Sequence, residues 1–420
     1  MLSTCNERFS MKKTYIIICG FADVVAGGPI YYSNKIRYME ALGWNVVVIP
    51  TNGGKKVYIS GMEKYLGPYI PFILDMPSEY SKKQQKRLLD IFLKFIPKEI
   101  GETVVETGTD YTDYWGEALA EKIGAKHIVI FLDEQNPRIS KTLDFYKFKY
   151  DRNELACISK PVMRHMFKPL MNLPLDKCKA LSCNCTNSIQ DIDSDLANQI
   201  VRGDYTIGYI GRLEKPFLPT IVDGFLEFAK TYPDKKISIV FFGGSFEQKT
   251  TDILYSQFAC LHNVNIMITG YLYPLPLKAL QKMDIFVSGA GSSRVGAKAG
   301  VLSLNIDMLT YRPDGFRYAN GQLNSLPPLG DTVFDNLKAV LVDKTYVPKP
   351  SVNIDHDWDL VCDNFVEHVK FMNSSSTIKA YYDVNRLNMS RKRRAKRFFR
   401  TILGLRIYNA LHNFHAWIAR

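Results

Sequence analysis

YTIGYIGRLEKPFLPTIVDGFLEFAKTYPDKKISIVFFGG, residues 205–244, decides the fold. Tyr205–Ile210 reads as a short buried strand, and Leu218–Tyr232 as a helix closed by Pro233. Ile237–Phe242 is a second apolar run, ending in Gly243-Gly244. The alternation continues with a helix over Glu247–Cys260, a strand over Val264–Thr269 and a helix over Pro274–Met283. A strand over Asp284–Ser288, a short helix over Ser292–Ala299 and a strand over Val301–Ile306 follow. Regular βα alternation of this kind defines a doubly wound parallel sheet.

Upstream, Asp191–Asp204 is polar and acidic and reads as a linker. The first half repeats the βα logic less regularly. Tyr15–Cys19 is a continuous apolar run, as expected of a strand buried on both faces. A loop over Gly20–Gly28 leads to a helix with Pro29 in its first turn and Gly43 at its stop, and Asn45–Ile49 is the next strand. Further strands are predicted at Thr103–Glu106, His127–Phe131 and Leu155–Ile158. Helices are predicted around Lys82–Phe95, Tyr114–Ile123 and Pro161–Phe167. A chain of 420 residues exceeds one ordinary core, so two domains are expected, over 11–190 and 205–350. Met11 reads as a second possible start, which makes 1–10 a disordered leader.

Composition is that of a globular chain, 46% hydrophobic and 23% charged. No apolar stretch reaches the roughly 18 residues of a membrane span. Lys12 and Lys13 before Tyr15–Gly20 resemble a signal peptide, but Asp23 interrupts the run and no small-residue cleavage site follows. Eight cysteines lack any paired CxxC spacing; Cys178, Cys183 and Cys185 cluster without histidines at zinc spacing. They read as reduced cytosolic thiols. A cytoplasmic protein is expected.

Ligands of open parallel sheets bind where strands end, so the loops that leave strands are the candidates. Gly27-Gly28, before Pro29, lets a ligand approach backbone and a helix N-terminus. A plain tight turn is the equal alternative. Gly211-Arg212-Leu213-Glu214-Lys215 follows a strand directly. Arg212 offers a planar fork and Lys215 a point charge for diphosphate oxygens; solvated surface cations are the weaker alternative. Ser288-Gly289-Ala290-Gly291-Ser292-Ser293-Arg294 leads a strand into a short helix, with small residues, hydroxyls and a cation as anion ligands. Together with Gly243 and Gly244 these loops suit a nucleotide diphosphate in a cleft between two domains. GxxxxGK[ST] is absent, which disfavours a P-loop enzyme, and GxGxxG with its ribose-binding acid is absent, which disfavours an NAD enzyme.

Three segments carry a family resemblance. They are "GGPIYYSNKIRYMEALGWNVVVI", "IGYIGRLEKP" with "TIVDGFLEFAKTYPDKKISIVFFGG", and "VNIMITGYLYPLPLKALQKMDIFVSGAGSSRVGAKAGV". Over most of residues 14–310 the chain resembles the family 4-type retaining glycosyltransferases of the GT-B fold. The resemblance implies an N-terminal Rossmann-like acceptor domain facing a C-terminal Rossmann-like nucleotide-sugar domain. It implies Arg212 and Lys215 on the donor diphosphate, and Gly27 and Gly28 on the acceptor side. The family places its lysine further from the arginine. Its paired glutamates are absent here: Val295 stands where the second is expected, and Ser292-Ser293-Arg294 occupies the loop. Some bacterial polysaccharide-type transferases are similar in carrying S-G-x-x-S-x-R.

Transfer with retention asks for cations on the departing diphosphate, which gives Arg212, Lys215 and Arg294 that role. Asp133 and Glu134 follow a strand and suit a base or a sugar-hydroxyl anchor, or a helix cap with equal weight. No DxD ends a strand, so no metal or other cofactor is expected.

The net charge of +12 is uneven: residues 384–420 hold ten Lys/Arg and no Asp/Glu, leaving the rest near +2. A helix over 351–373 is expected to return toward the first domain, and a basic amphipathic tail fills 374–420. Arg391, Lys392, Arg393, Arg394, Lys396 and Arg397 precede an apolar stripe of Phe399, Leu403, Ile407, Leu411, Phe414 and Ile418. This suits an anionic membrane surface, at the cytoplasmic face of an inner membrane, or a helix packed on the first domain or on a partner subunit. Nucleic acid is not expected.

The sequence therefore reads as an α/β chain of two Rossmann-like domains facing across a cleft, with that tail. Its expected partners are a nucleotide sugar and a saccharide or lipid-linked saccharide acceptor in bacterial surface polysaccharide synthesis. A catalytically degenerate binding or scaffold subunit, and a nucleotide-sugar epimerase, are the alternatives.

Overall fold

The computed structural model describes residues 13–19, 25–51, 57–59, 61–65, 74–99, 101–132, 140–168, 179–345, 350–354, 357–386 and 390–418. Six strands form the first sheet: β1 (Thr14–Cys19), β2 (Asn45–Pro50), β3 (Thr103–Thr107), β4 (Lys126–Phe131), β5 (Leu155–Cys157) and β6 (Lys179–Ala180). Their order is β2-β1-β3-β4-β5-β6 and every pairing is parallel. β1 is buried at all its residues because helices cover both faces of the sheet. Tyr15, Ile17 and Cys19 pack with Ile30, Ile36 and Met39 of α1 (Gly27–Ala41). Ile16 and Ile18 point the other way, toward Leu88 of α2 (Lys82–Phe92) and Trp115 of α3 (Asp110–Ile123). Ser81 and Gln84 cap α2 reciprocally, and Gly124, at φ 67°, ends α3 in the left-handed region. α4 (Ser140–Asp151) and α5 (Lys160–Met166) complete this lobe.

The chain crosses between the lobes at residues 181–188. β7 (Ile189–Gln190) already pairs with β11 (Leu275–Pro276) of the second lobe. α6 (Leu196–Gln199) and Ile200 bury Ala197 and Ile200 against Ile210 and Val240. Within the expected linker at Asp191–Asp204, Ala197 and Ile200 are thus buried, while Ile192 and Val201 and most of the polar positions are exposed.

The second sheet contains β8 (Tyr205–Ile210), β9 (Ile237–Phe242), β10 (Val264–Ile268), β12 (Ile285–Gly289), β13 (Ser303–Ile306), β14 (Pro313–Asn320) and β15 (Gln322–Leu326). The order is β10-β9-β8-β12-β13-β14-β15. The first five are parallel; β14 and β15 add an antiparallel hairpin that turns at Gly321, φ 70°. Its covering helices are α7 (Leu218–Thr231), α8 (Gln248–Phe258), α9 (Leu277–Leu280), α10 (Gly291–Lys298) and α11 (Val333–Leu337). The helix expected over Pro274–Met283 shrinks to α9, because Leu275 and Pro276 are extended and pair with Ile189 and Gln190 as β11, and a residue that precedes proline avoids the helical region.

α12 (Asp357–Ser374) returns to the first lobe and buries Phe365, His368, Phe371 and Met372 there. α13 (Arg391–Ile418) is broken at Gly404, φ 73° and ψ 160°, so the expected single apolar stripe is divided. Leu405 joins Leu88, Phe92 and Trp115 in the first lobe's core. Among the described residues, no helix is long and apolar enough to cross a membrane. The molecule is thus two Rossmann-like domains facing across a cleft, with a C-terminal helix added.

Candidate functional site

Each sheet reverses its winding at one place: between β1 and β3 in the first, between β8 and β12 in the second. Loops leaving such neighbours diverge, and the gap they open is where α/β sheets hold ligands. Here the two gaps share one cleft of about 370 Å³. Its walls come from chain that follows β1, β4 and β5 on one side and β8, β9, β12 and β13 on the other.

Three close approaches shape it. A Cβ on Gly27 would stand 3.2 Å from Cys185 Cβ, and one on Gly291 would stand 2.7 Å from Thr186 Cγ2. The crossover segment therefore lies between the two glycine-led helices, and a larger residue at Gly291 would push it aside. The third approach joins Gly211 and Gly243 within the second lobe.

α1 and α10 both begin at this cleft. Their N-caps are Ala26 and Ala290, which have no side-chain acceptor for the first free amides. Such N–H groups, with the positive dipole ends, are the kind of group that an anion can bond. Ala290 holds φ 52° and ψ −128°, a strained conformation for a residue with a Cβ.

Arg212 and Lys215 line the same cleft. The Tyr209 hydroxyl donates to the Arg212 carbonyl oxygen (2.8 Å), and Leu213 N–H donates to Gly244 O (3.1 Å), fixing the loop. The Arg212 guanidinium carbon lies 5.4 Å from the Phe246 ring centre. Ile210 N–H donates to Ser288 Oγ (2.9 Å), which ties β8 to β12 at the base of the gap.

The singled-out residues divide as follows. Gly27, Gly28, Gly211, Arg212, Lys215, Gly243, Gly291 and Ser292 line the cleft. Gly244 lies behind it, against Tyr271. Ser293 is fully buried, its hydroxyl 2.8 Å from Ala290 O and from Asn305 Oδ1. Arg294 is exposed and outside the lining. The helix turns about 100° per residue, so only the first residues of α10 face the ligand space. Asp133 and Glu134 lie outside the described residues.

Glu106 and its partners are not among the residues that the sequence motifs single out. Glu106 is fully buried near the end of β3 and accepts from the hydroxyls of Tyr15 and Tyr31, the latter at 2.7 Å. Lys35 Nζ stands 3.4 Å from it. Burial and then Glu106 push the Tyr31 hydroxyl far above its ordinary pKa. Burial lowers that of Lys35 while Glu106 opposes the shift. Tyr31 lines the cleft, and His368 Nδ1 of α12 lies 3.4 Å behind its hydroxyl. A charged residue inside the apolar run Thr103–Thr107 was the available signal. Tyr58 of the first lobe also meets Tyr271 of the second edge to face, ring centres 5.2 Å apart. Burial, then Glu214, pushes Tyr271 up to about 12.

Other cavities lie elsewhere among the described residues. One of about 200 Å³ lies at the opposite ends of β3 and β4, where Lys149 bonds Glu154 (3.0 Å) and His127 O (3.1 Å) under segment 376–381. Arg152, paired with Glu154, donates to Ile378 O and so holds that segment. Another, of about 670 Å³, lies across the crossover and shares Thr186 and Asn187 with the cleft. No group of three or more His, Cys, Asp or Glu is placed to hold a metal among the described residues.

No protein-family model matches the chain, and no curated protein matches it. Solved structures do. Anabaena HepE, in complex with UDP and glucose, is similar at a TM-score of 0.50 and 12% identity, over 85% of this chain and 99% of that one. A glycosyltransferase from Rickettsia africae ESF-5 is similar at a TM-score of 0.48 and 11% identity, over 94% and 100%. The UDP-GlcNAc 2-epimerase of Methanocaldococcus jannaschii, with UDP-GlcNAc and UDP, is similar at 0.38 and 15%, over 93% and 99%. The HepE likeness agrees with the fold described above, which is GT-B.

Proposed function

We propose that this chain is a glycosyltransferase of the family 4 type. It would move a sugar from a nucleotide-sugar donor to a saccharide or lipid-linked saccharide acceptor, with retention, in bacterial surface polysaccharide synthesis. One observation carries the reading: two alanine-capped helix N-termini, Arg212 and Lys215 converge on one cleft at the switch points of both sheets.

A donor diphosphate seated there accepts from the amides of Gly27, Gly28, Gly291 and Ser292. As the bond from the sugar C1 to the diphosphate oxygen breaks, charge grows on that oxygen. Arg212 and Lys215 are already in place to hold it, so the water-like reorganisation cost is avoided. Losing one such donor raises the barrier by roughly 2–4 kcal/mol. Asp133 or Glu134, after β4, keeps the role of base or hydroxyl anchor in this proposal, and no metal is required.

The acceptor follows from the tail. Basic charge beside exposed apolar side chains on α13 favours a lipid surface, next to which a lipid-carried acceptor would be presented. UDP and glucose in HepE make UDP-sugars the first donors to try.

A thermal-shift screen over nucleotide sugars tests the reading, since a ligand of the native state raises its stability. One nucleotide-sugar class should raise Tm, and its sugar should then reach a lipid-linked acceptor. Binding with neither transfer nor hydrolysis, across lipid-linked and free saccharide acceptors, would favour the scaffold alternative. No shift across the panel would defeat the donor site.

A further inference from the structure

We infer that the lipid-facing surface is composite, formed by α2 of the first lobe together with α13, and that its occupant is an anionic bilayer. This deepens the proposed membrane role of the tail and rests on it.

The tail is not a loose cationic arm. Arg393, Lys396 and Arg400 fall on one face of α13, three and four residues apart, and that face points inward. Arg393 Nε lies 3.1 Å from Glu79 Oε1. Lys396 Nζ lies 3.7 Å from Asp75 Oδ2 and 3.9 Å from Glu79 Oε2. Arg400 is 1% exposed, bonds Asp75 and Glu79, and stacks 4.5 Å from the Tyr80 ring. Two carboxylates thus absorb three cations and set the helix's rotation about its axis.

The opposite face is fixed outward by the same contacts. It presents Phe398, 61% exposed, and Ile402, 62% exposed, with Phe399 at its flank. Arg391, Lys392 and Arg394 stand exposed around them. Side chains of this size, held away from the core by buried ion pairs, are apolar surface without a partner in the described chain.

α2 lies alongside. Gln84 Nε2 donates to Arg400 O (2.8 Å), and Leu88 and Phe92 share a core with Leu405. Its solvent side carries Lys82, Lys83 and Lys86, all exposed, against one exposed acid, Asp90. The two neighbouring helices thus expose cations, Lys82, Lys83 and Lys86 on one and Arg391, Lys392 and Arg394 on the other, together with an apolar strip. Anionic headgroups match the cations and acyl chains match the strip, whereas a nucleic acid would leave the strip unused.

The test uses the full chain and sedimentation with phosphatidylcholine vesicles, with and without phosphatidylglycerol. Binding should require phosphatidylglycerol and weaken with salt. The triple variant K82Q/K83Q/K86Q should bind about tenfold or more weakly, with unchanged Tm and unchanged nucleotide binding. F398S/I402S should lose binding comparably. If the triple variant binds as the native chain does while F398S/I402S does not, the surface is the tail alone and the composite face is wrong. If the native chain ignores phosphatidylglycerol, the membrane reading itself fails, leaving the nucleotide site untouched. A dimer in solution that F398S/I402S dissociates would make a second copy the occupant and overturn the proposal.

Discussion

A Cβ on Gly243 would stand 1.8 Å from the carbonyl oxygen of Gly211, so the chain leaving β8 and the chain leaving β9 lie backbone against backbone. No side-chain rotation can relieve that clash. Gly243→Ala should destabilise the second lobe by roughly 1–3 kcal/mol, the range for forced overpacking. Donor affinity should fall with it, because Arg212 and Lys215 sit on the displaced loop. Calorimetric unfolding and nucleotide titration of the same variant check both effects; an unchanged Tm would mean the two backbones do not approach as described.

Arg212→Ala should weaken a nucleoside diphosphate about tenfold to a hundredfold, as expected when a charged hydrogen-bond donor is lost. The parent nucleoside should be little affected. Arg212→Lys should recover only part, since a point charge cannot reproduce the fork. Equal losses for nucleoside and diphosphate would remove Arg212 from the phosphate role.

Ala290 holds a conformation that favours glycine, φ 52° and ψ −128°. Ala290→Gly should therefore stabilise the fold by about 1 kcal/mol, strain relief exceeding the added freedom of the unfolded chain. A lowered Tm would show that the strain is not there.

Stability should fall in mild acid. Burial, with Lys149 nearby, lowers His127 to about 4, and burial, with Lys35, lowers His368 to about 2. Both stay neutral when folded but take a proton near 6.5 when unfolded. The unfolded chain therefore binds more protons below 6.5, and stability drops as pH falls. For His127 the loss is roughly 3 kcal/mol by pH 4. His127 Nδ1–H donates to Glu117 (2.6 Å), leaving Nε2 to accept from Thr107 Oγ1 (2.9 Å). His127→Gln should flatten the slope between pH 6.5 and 4; an unchanged slope would contradict the neutral assignment.

The strand runs around Tyr15–Cys19, Tyr205–Ile210 and Ile237–Phe242 were legible because buried parallel strands need continuous apolar sequence. The glycine-led loops were legible because close backbone approach excludes a Cβ. Other features depend on distant partners. Arg400 reads as one more tail cation until Asp75 and Glu79, more than 300 positions away, are brought beside it. The orientation of Arg294 follows from where α10 starts, which one residue's shift would change. The β14–β15 hairpin does carry a local signal, Asn320-Gly321 at its turn.

Calorimetric titration of UDP, GDP, ADP, CDP and dTDP, each beside its nucleoside, tests the cleft most directly. One diphosphate should bind at least tenfold more tightly than its nucleoside, and that advantage should vanish in Arg212→Ala/Lys215→Ala. If every diphosphate binds no better than its nucleoside, the convergence of helix ends and cations at this cleft does not serve a pyrophosphate.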